Sequence, residues 1–146
     1  FSLLKLIKEG DADLTLSIVG AEKNSLTHIV QNNVRVYEVE NNEQNLIKFY
    51  DEHNIFILPS YTEGHPMVLL EALSRLRPVI IFKDIEHVIG DKKGIFVADR
   101  NFSSFLDQIN FIKKNYRTIQ QEMKKNKLPT KEEFLSRFSD LISKSS

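Results

Sequence analysis

Five short β-branched runs, separated by polar stretches whose apolar residues repeat at helical spacing, leave this chain few ways to fold. Alternation of that kind is the signature of β-α units feeding a parallel sheet. Strands are expected at Leu14–Val19, Val34–Val39, Ile55–Leu58, Val79–Phe82 and Ile95–Val97. Helices are expected at about Ser2–Glu9, Ser25–Gln31, Glu43–Glu52, Pro66–Arg75, Ser104–Asn115 and Lys131–Ser143. Three of the strands, LTLSIV, IFIL and VIIF, are apolar on both sides of the pleat, as parallel strands are when helices cover both faces. The expected class is therefore α/β, a parallel sheet with helices on both faces. At 146 residues the chain is one ordinary domain, large enough to bury a core without disulfides or metals. Lys124–Pro129, KKNKLP, is the one linker-like piece, ahead of a terminal helix within 130–146 that is expected to pack on something outside this chain.

Composition removes several classes of function. Twenty basic and twenty acidic side chains cancel, so no overall basic field gathers nucleic acid or anionic lipid, and any anionic ligand must be held locally. Cysteine is absent, which excludes a disulfide scaffold and thiolate zinc sites and fits a reducing, cytoplasmic setting. His28, His53, His65 and His87 show neither the spacing nor the clustering of a metal site, so no metal is expected. Gly20 is a single glycine and not a dinucleotide fingerprint, which gives a bound dinucleotide cofactor little support. The purely apolar runs, Met67–Leu70 among the longest, fall far short of the roughly 18 residues that span a bilayer. The chain opens on Phe1 and goes straight into Leu3, Leu4, Leu6 and Ile7, which points to a segment upstream.

In an open parallel sheet, ligands collect beyond the carboxyl ends of the strands, where loops run into helix N-termini. The stretch YTEGHPMVLLEAL has that setting: a strand ends at Leu58, Pro59 and Ser60 follow, and Pro66 has the fixed φ that suits a first helical position. The amides of Met67 and Val68 would then be unpaired, and with the helix dipole they suit a phosphate without any basic side chain. Gly64 would let a ligand lie close to the backbone. Projected on a helix, Leu69, Ala72, Leu73 and Leu76 share one face, while Glu71 points nearly opposite, flanked by Met67 and Arg75. Glu71 has two readings. It is either a solvated glutamate paired with Arg75 one turn on, contributing ~0.3 kcal/mol, or a carboxylate on a cleft wall, one turn beyond a phosphate site and placed to accept two hydrogen bonds from a ribose diol. Glu63 is either a turn acid that favours the helix dipole or the group that faces whatever lies beyond the phosphates.

PSYTEGHPMVLLEAL followed by RPVII, with LTLSIVG and NNVRVYEV before it and HVIGDKKGIFV after it, resembles the C-terminal domain of group 1 nucleotide-sugar glycosyltransferases, the retaining GT-B enzymes. Their E-x7-E hallmark is matched by Glu63 and Glu71, and the likeness runs from about Ser2 to Lys114. The resemblance implies one Rossmann-like half of a two-domain enzyme, with the site between the halves. It implies that Glu71 binds the ribose and that Glu63, the candidate catalytic carboxylate, meets the transferred sugar together with Gly64, His65 and Pro66. The amides near Met67 and Val68 would hold the diphosphate, Ser60 would contact the donor sugar or the diphosphate, and Val36, Tyr37, Glu38 and Val39 would lie near the base. The implied reaction moves a glycosyl unit from a nucleoside diphosphate sugar to a saccharide or lipid-linked acceptor, with configuration retained and no metal or other cofactor. By analogy it belongs to bacterial surface polysaccharide or lipopolysaccharide assembly.

The sequence also departs from that family. Its first strand and the Arg and Lys that clamp the diphosphate would lie before Phe1, so the chain reads as a domain lacking its first strand, inactive alone. Arg75-Leu76-Arg77 replaces a glycine-containing turn, so that corner is expected to be shaped differently. His65 stands where an apolar residue is common, either sensing the phosphates or sitting as an ordinary loop histidine, and His87 replaces a frequent glutamate. The basic cluster Lys113, Lys114, Arg117, Lys124, Lys125 and Lys127 is either a solvated helix face or a surface for peripheral contact with an anionic membrane. Two other readings stay open: a non-catalytic α/β interaction module, and a GT-B sugar epimerase or phosphorylase.

Overall fold

The computed structural model describes residues 14–21, 33–130 and 133. The helices expected at Ser2–Glu9, Ser25–Gln31 and Lys131–Ser143 lie outside the described residues.

Among the described residues five strands form: β1 (Leu16–Val19), β2 (Val34–Tyr37), β3 (Phe56–Leu58), β4 (Val79–Phe82) and β5 (Ile95–Ala98), and each pairing between them is parallel. They pair as two sheets, β1-β2 and β3-β4-β5. Leu16 lies opposite Val34 in the first; in the second, Val79 lies opposite both Phe56 and Ile95. The run VIIF behaves as an all-apolar central strand should, with all four side chains fully buried. LTLSIV and IFIL are less covered than their composition suggests, because β1 and β3 are edge strands among the described residues. Only Leu16 and Leu58 of these two strands are buried, and Val19 is exposed.

Among the described residues, two helices and one 3-10 segment connect the strands, and a third helix follows β5. α1 (Glu43–Glu52) starts where the sequence puts it, because the Asn42 side chain accepts hydrogen bonds from the amides of Gln44 and Asn45 at 3.0 and 3.2 Å. α2 (Met67–Ser74) buries Leu69, Leu70, Ala72 and Leu73 against the sheet. Pro66 is its N-cap and not its first helical residue: ψ is 103°, and the Pro66 carbonyl accepts from Leu69 N–H at 3.1 Å.

α2 ends in a Schellman turn. Leu76 N–H donates to Leu73 O at 3.0 Å, Arg77 N–H donates to Ala72 O at 2.9 Å, and Leu76 has φ 55°. At the Arg75-Leu76-Arg77 corner a leucine is thus held in the left-handed region that glycine usually occupies in such a turn. The 3-10 segment Lys83–Val88 follows β4 directly.

α3 (Phe102–Met123) is longer than the expected Ser104–Asn115. Its buried stripe, Phe105, Ile109, Ile112, Ile119 and Met123, carries the helical period through the basic cluster. Met123 lies so close to Gly94, φ 89°, that a Cβ there would stand 2.5 Å from the methionine side chain. The piece read as a linker is tied down: Asn126 exchanges hydrogen bonds with Lys93 N–H and O at 2.8 and 2.9 Å, and Leu128 packs against the core. No helix among the described residues is long and apolar enough to cross a membrane.

Candidate functional site

The loop 59–65 leaves the carboxyl end of β3 and enters α2, and the residues singled out in the sequence are distributed around that junction. Ser60 Oγ donates to Glu63 Oε1 at 2.6 Å, which fixes one oxygen of the half-buried carboxylate. The backbone carbonyl of Glu63 is held from the other side, where His87 Nε2–H donates to it at 2.7 Å. A carbonyl can only accept, so this bond assigns the proton to Nε2. His87, whose place in the sequence had no evident role, is an anchor for the loop.

The start of α2 carries no side-chain cap, and Met67 and Val68 are exposed. The amide end of the helix is thus left without a capping side chain, a setting that favours anions. Above Gly64 the space is open: a Cβ added there would meet nothing within 4 Å, so no protein neighbour requires glycine at this position. Beside it runs a cleft of about 210 Å³, lined by Gly64, His65 and Pro66 on one side and by His87, Gly90 and Lys92 on the other.

Glu71 lies on the outer face of α2, away from that cleft. It is exposed, and it accepts a hydrogen bond from Tyr50 Oη at 2.9 Å. The expected pair with Arg75 does not form. Arg75 instead forks onto Asp51, with Nε donating to Oδ1 at 2.9 Å and Nη2 to Oδ2, because a carboxylate across the helix pair matches the planar guanidinium on both oxygens. This donation, Arg75 first, holds Asp51 below the usual carboxylate range. Tyr50 is pushed upward, by burial first and then by the neighbouring Glu71 carboxylate.

Val36, Tyr37, Glu38 and Val39 end β2 and begin the segment beyond it, in the other sheet. Tyr37 packs edge-on against Phe49 at 4.7 Å, and its carbonyl accepts from Gly20 N–H at 3.0 Å. α1 therefore touches both groups, offering Phe49 to β2 and Tyr50 to Glu71. The structure brings Ser60, Glu63 and Gly64–Val68 together at one sheet end. Glu71 stands one turn further along the same helix, on its outer face, and the β2 residues join the group through α1.

Sequence reasoning passed over the residues that support this site. Tyr50 was readable as part of a Leu46–Tyr50 helical pair, and Arg100 as a charge just past the end of β5. Neither has a motif, since their partners come from elsewhere in the chain. Among the described residues, no group of three or more His, Asp or Glu could hold a metal ion.

No curated protein matches the chain. A family model described as "Glycosyl transferases group 1" matches residues 2–115, which include β1 to β5, Glu63, Glu71 and most of α3. The chain belongs to the group 1 glycosyltransferases.

Proposed function

We infer that this chain is the donor-binding half of a retaining enzyme that moves a sugar from a nucleoside diphosphate sugar to a saccharide or lipid-linked acceptor, in bacterial surface polysaccharide synthesis. The observation that carries the reading is the start of α2, which has no capping side chain and lies at the carboxyl edge of the sheet, between the Glu63 loop and Glu71. In this reading the helix amides take the diphosphate, Glu71 the ribose diol, and Glu63 with Gly64–Pro66 the sugar hydroxyls. The segment Val36–Val39 takes the base, and no metal is needed. A further parallel strand outside the described residues completes the sheet, the partner domain supplies the acceptor, and the basic face of α3 and the residues after it lies toward an anionic membrane surface.

The chemistry asked of this half is modest. The bond from the anomeric carbon to the diphosphate oxygen breaks with its electron pair going to the diphosphate, and the acceptor hydroxyl oxygen bonds to the same carbon as its proton passes to the departing diphosphate. Charge grows on the leaving diphosphate, so amides aimed there before the reaction lower the barrier. Holding donor and acceptor in line supplies the rest.

Calorimetry or ligand-observed NMR with UDP, GDP and ADP tests the reading. At least one should bind weakly, and Glu71→Ala should abolish that binding with the circular dichroism spectrum unchanged and the melting temperature lowered only by the loss of the hydrogen bond from Tyr50. A chain that answers to none of the three is not a donor-binding domain.

A further inference from the structure

The residue that shapes the Glu63 loop does not belong to it. Arg100 sits in the turn between β5 and α3, and β4 separates its strand from β3. Its side chain crosses the carboxyl end of β4. The guanidinium lies 4.5 Å from the ring centre of Phe82, the last residue of β4, and 3.6 Å from that of Tyr61. All three of its nitrogens donate to fixed acceptors: Nε to Asp84 Oδ2 at 2.7 Å, Nη1 to Pro59 O at 3.3 Å and Nη2 to Ser60 O at 2.7 Å. The side chain is only 22% exposed, so these bonds are partly sheltered from water.

Ser60 links this anchor to the chemistry. Its backbone carbonyl is held by Arg100 and its hydroxyl donates to Glu63 Oε1. Two consecutive hydrogen bonds thus connect a residue on one strand end to a carboxylate on another. A lysine could reach one acceptor as a point charge, but it could not stack on Tyr61 while donating in three directions. Glu71 is supported separately, by Tyr50 from α1, and α2 is seated by Leu69, Leu70, Ala72 and Leu73.

We propose that Arg100 is a positioning residue that fixes the Glu63 carboxylate by holding the Ser60 backbone, and thereby governs recognition of the donor's sugar without contributing to the grip on its nucleotide. The part concerning the donor rests on the reading in the preceding subsection; the part concerning the loop does not.

The test compares the chain with Arg100→Gln, Arg100→Lys and Asp84→Asn, the last leaving the arginine in place but without its own anchor. Without ligand, ¹⁵N order parameters of residues 60–65 should fall in Arg100→Gln from about 0.85 to below about 0.6. Arg100→Lys and Asp84→Asn should lie between the two, with Leu69–Leu73 and Val79–Phe82 unchanged. With UDP, GDP and ADP and their glucose conjugates as probes, Arg100→Gln should hold the bare diphosphates within about twofold while the affinity gained from the sugar drops about tenfold.

A loop that stays as ordered in Arg100→Gln as in the parent overturns the proposal whatever the ligands do. Equal loss of diphosphate and sugar conjugate with the fold intact overturns it as well, by making Arg100 a support of the whole site. If the parent binds no probe, the donor reading falls and with it the sugar role of Arg100, while the order parameters still decide whether Arg100 fixes the loop.

Discussion

Tyr50 joins the stability of the chain to the state of its candidate ribose carboxylate. Its ring packs edge-on against Phe56 at 5.6 Å and its hydroxyl donates to Glu71, so the half-buried phenol resists losing its proton. The sign follows from linkage. The unfolded phenol ionises near its ordinary value of about 10 while the folded one does not, so this stabilisation is complete below about pH 10 and drains away as pH rises toward the folded value. Tyr50→Phe should cost about 1 kcal/mol at neutral pH and should melt with a flatter pH dependence above about pH 10 than the parent. Thermal melts from pH 7 to 11.5 check it, and parallel alkaline limbs would show that another group is responsible. The motif residues and their supports differ in how they read. Glu63, Gly64 and Glu71 lie in one contiguous stretch whose spacing is visible, whereas Tyr50 and Arg100 act through partners that only the folded chain brings near.

At the level of elements, α2 separates packing from backbone strain. Leu73 is fully buried, 1% exposed, and Leu73→Ala should cost about 2–5 kcal/mol in denaturant titration. Leu76 is half-buried but holds φ 55°, where an L-residue carries about 1–2 kcal/mol of strain. Leu76→Gly relieves that strain and loses a similar amount of apolar burial, so its net effect should stay within about 1 kcal/mol. A loss as large as that of Leu73→Ala would mean that the leucine side chain, and not the turn, sets the corner. No sequence signal announces this turn, because leucine does not advertise a left-handed conformation. α1 was legible because Asn42 is a strong cap and the first turn is acidic. The C-terminal half of α3 was not, because Lys113, Lys114 and Arg117 interleave with Ile112, Tyr116 and Ile119 and hide the apolar period in a run that reads as solvated.

For the molecule as a whole, the two sheets pose the remaining problem. Among the described residues, β1 and β3 each pair on one side only, and every strand pairing is parallel. His53, just before β3, reaches β1: its Nδ1–H donates to Phe49 O at 2.6 Å, which leaves Nε2 to accept from Ser17 Oγ at 2.6 Å. The two open edges are therefore neighbours across a short span. One more parallel strand pairing with both would give the order β2-β1-new-β3-β4-β5, which reverses direction beside β3. In doubly wound sheets ligands bind at such a reversal, and the loop 59–65 leaves the sheet there. The proposed strand thus accounts at once for the divided sheet and for the location of the site. A longer polypeptide that carries the proposed strand should protect the outward amides of Leu16–Val19 and Phe56–Leu58 from hydrogen exchange about 100-fold more than the 146-residue chain does, because edge amides would become ladder amides. Protection in α3 should change far less, since its stripe is already buried against the second sheet. Equal exchange at both edges in the two polypeptides would mean that the sheets are separate by design, and the donor site would then need a boundary other than a completed sheet.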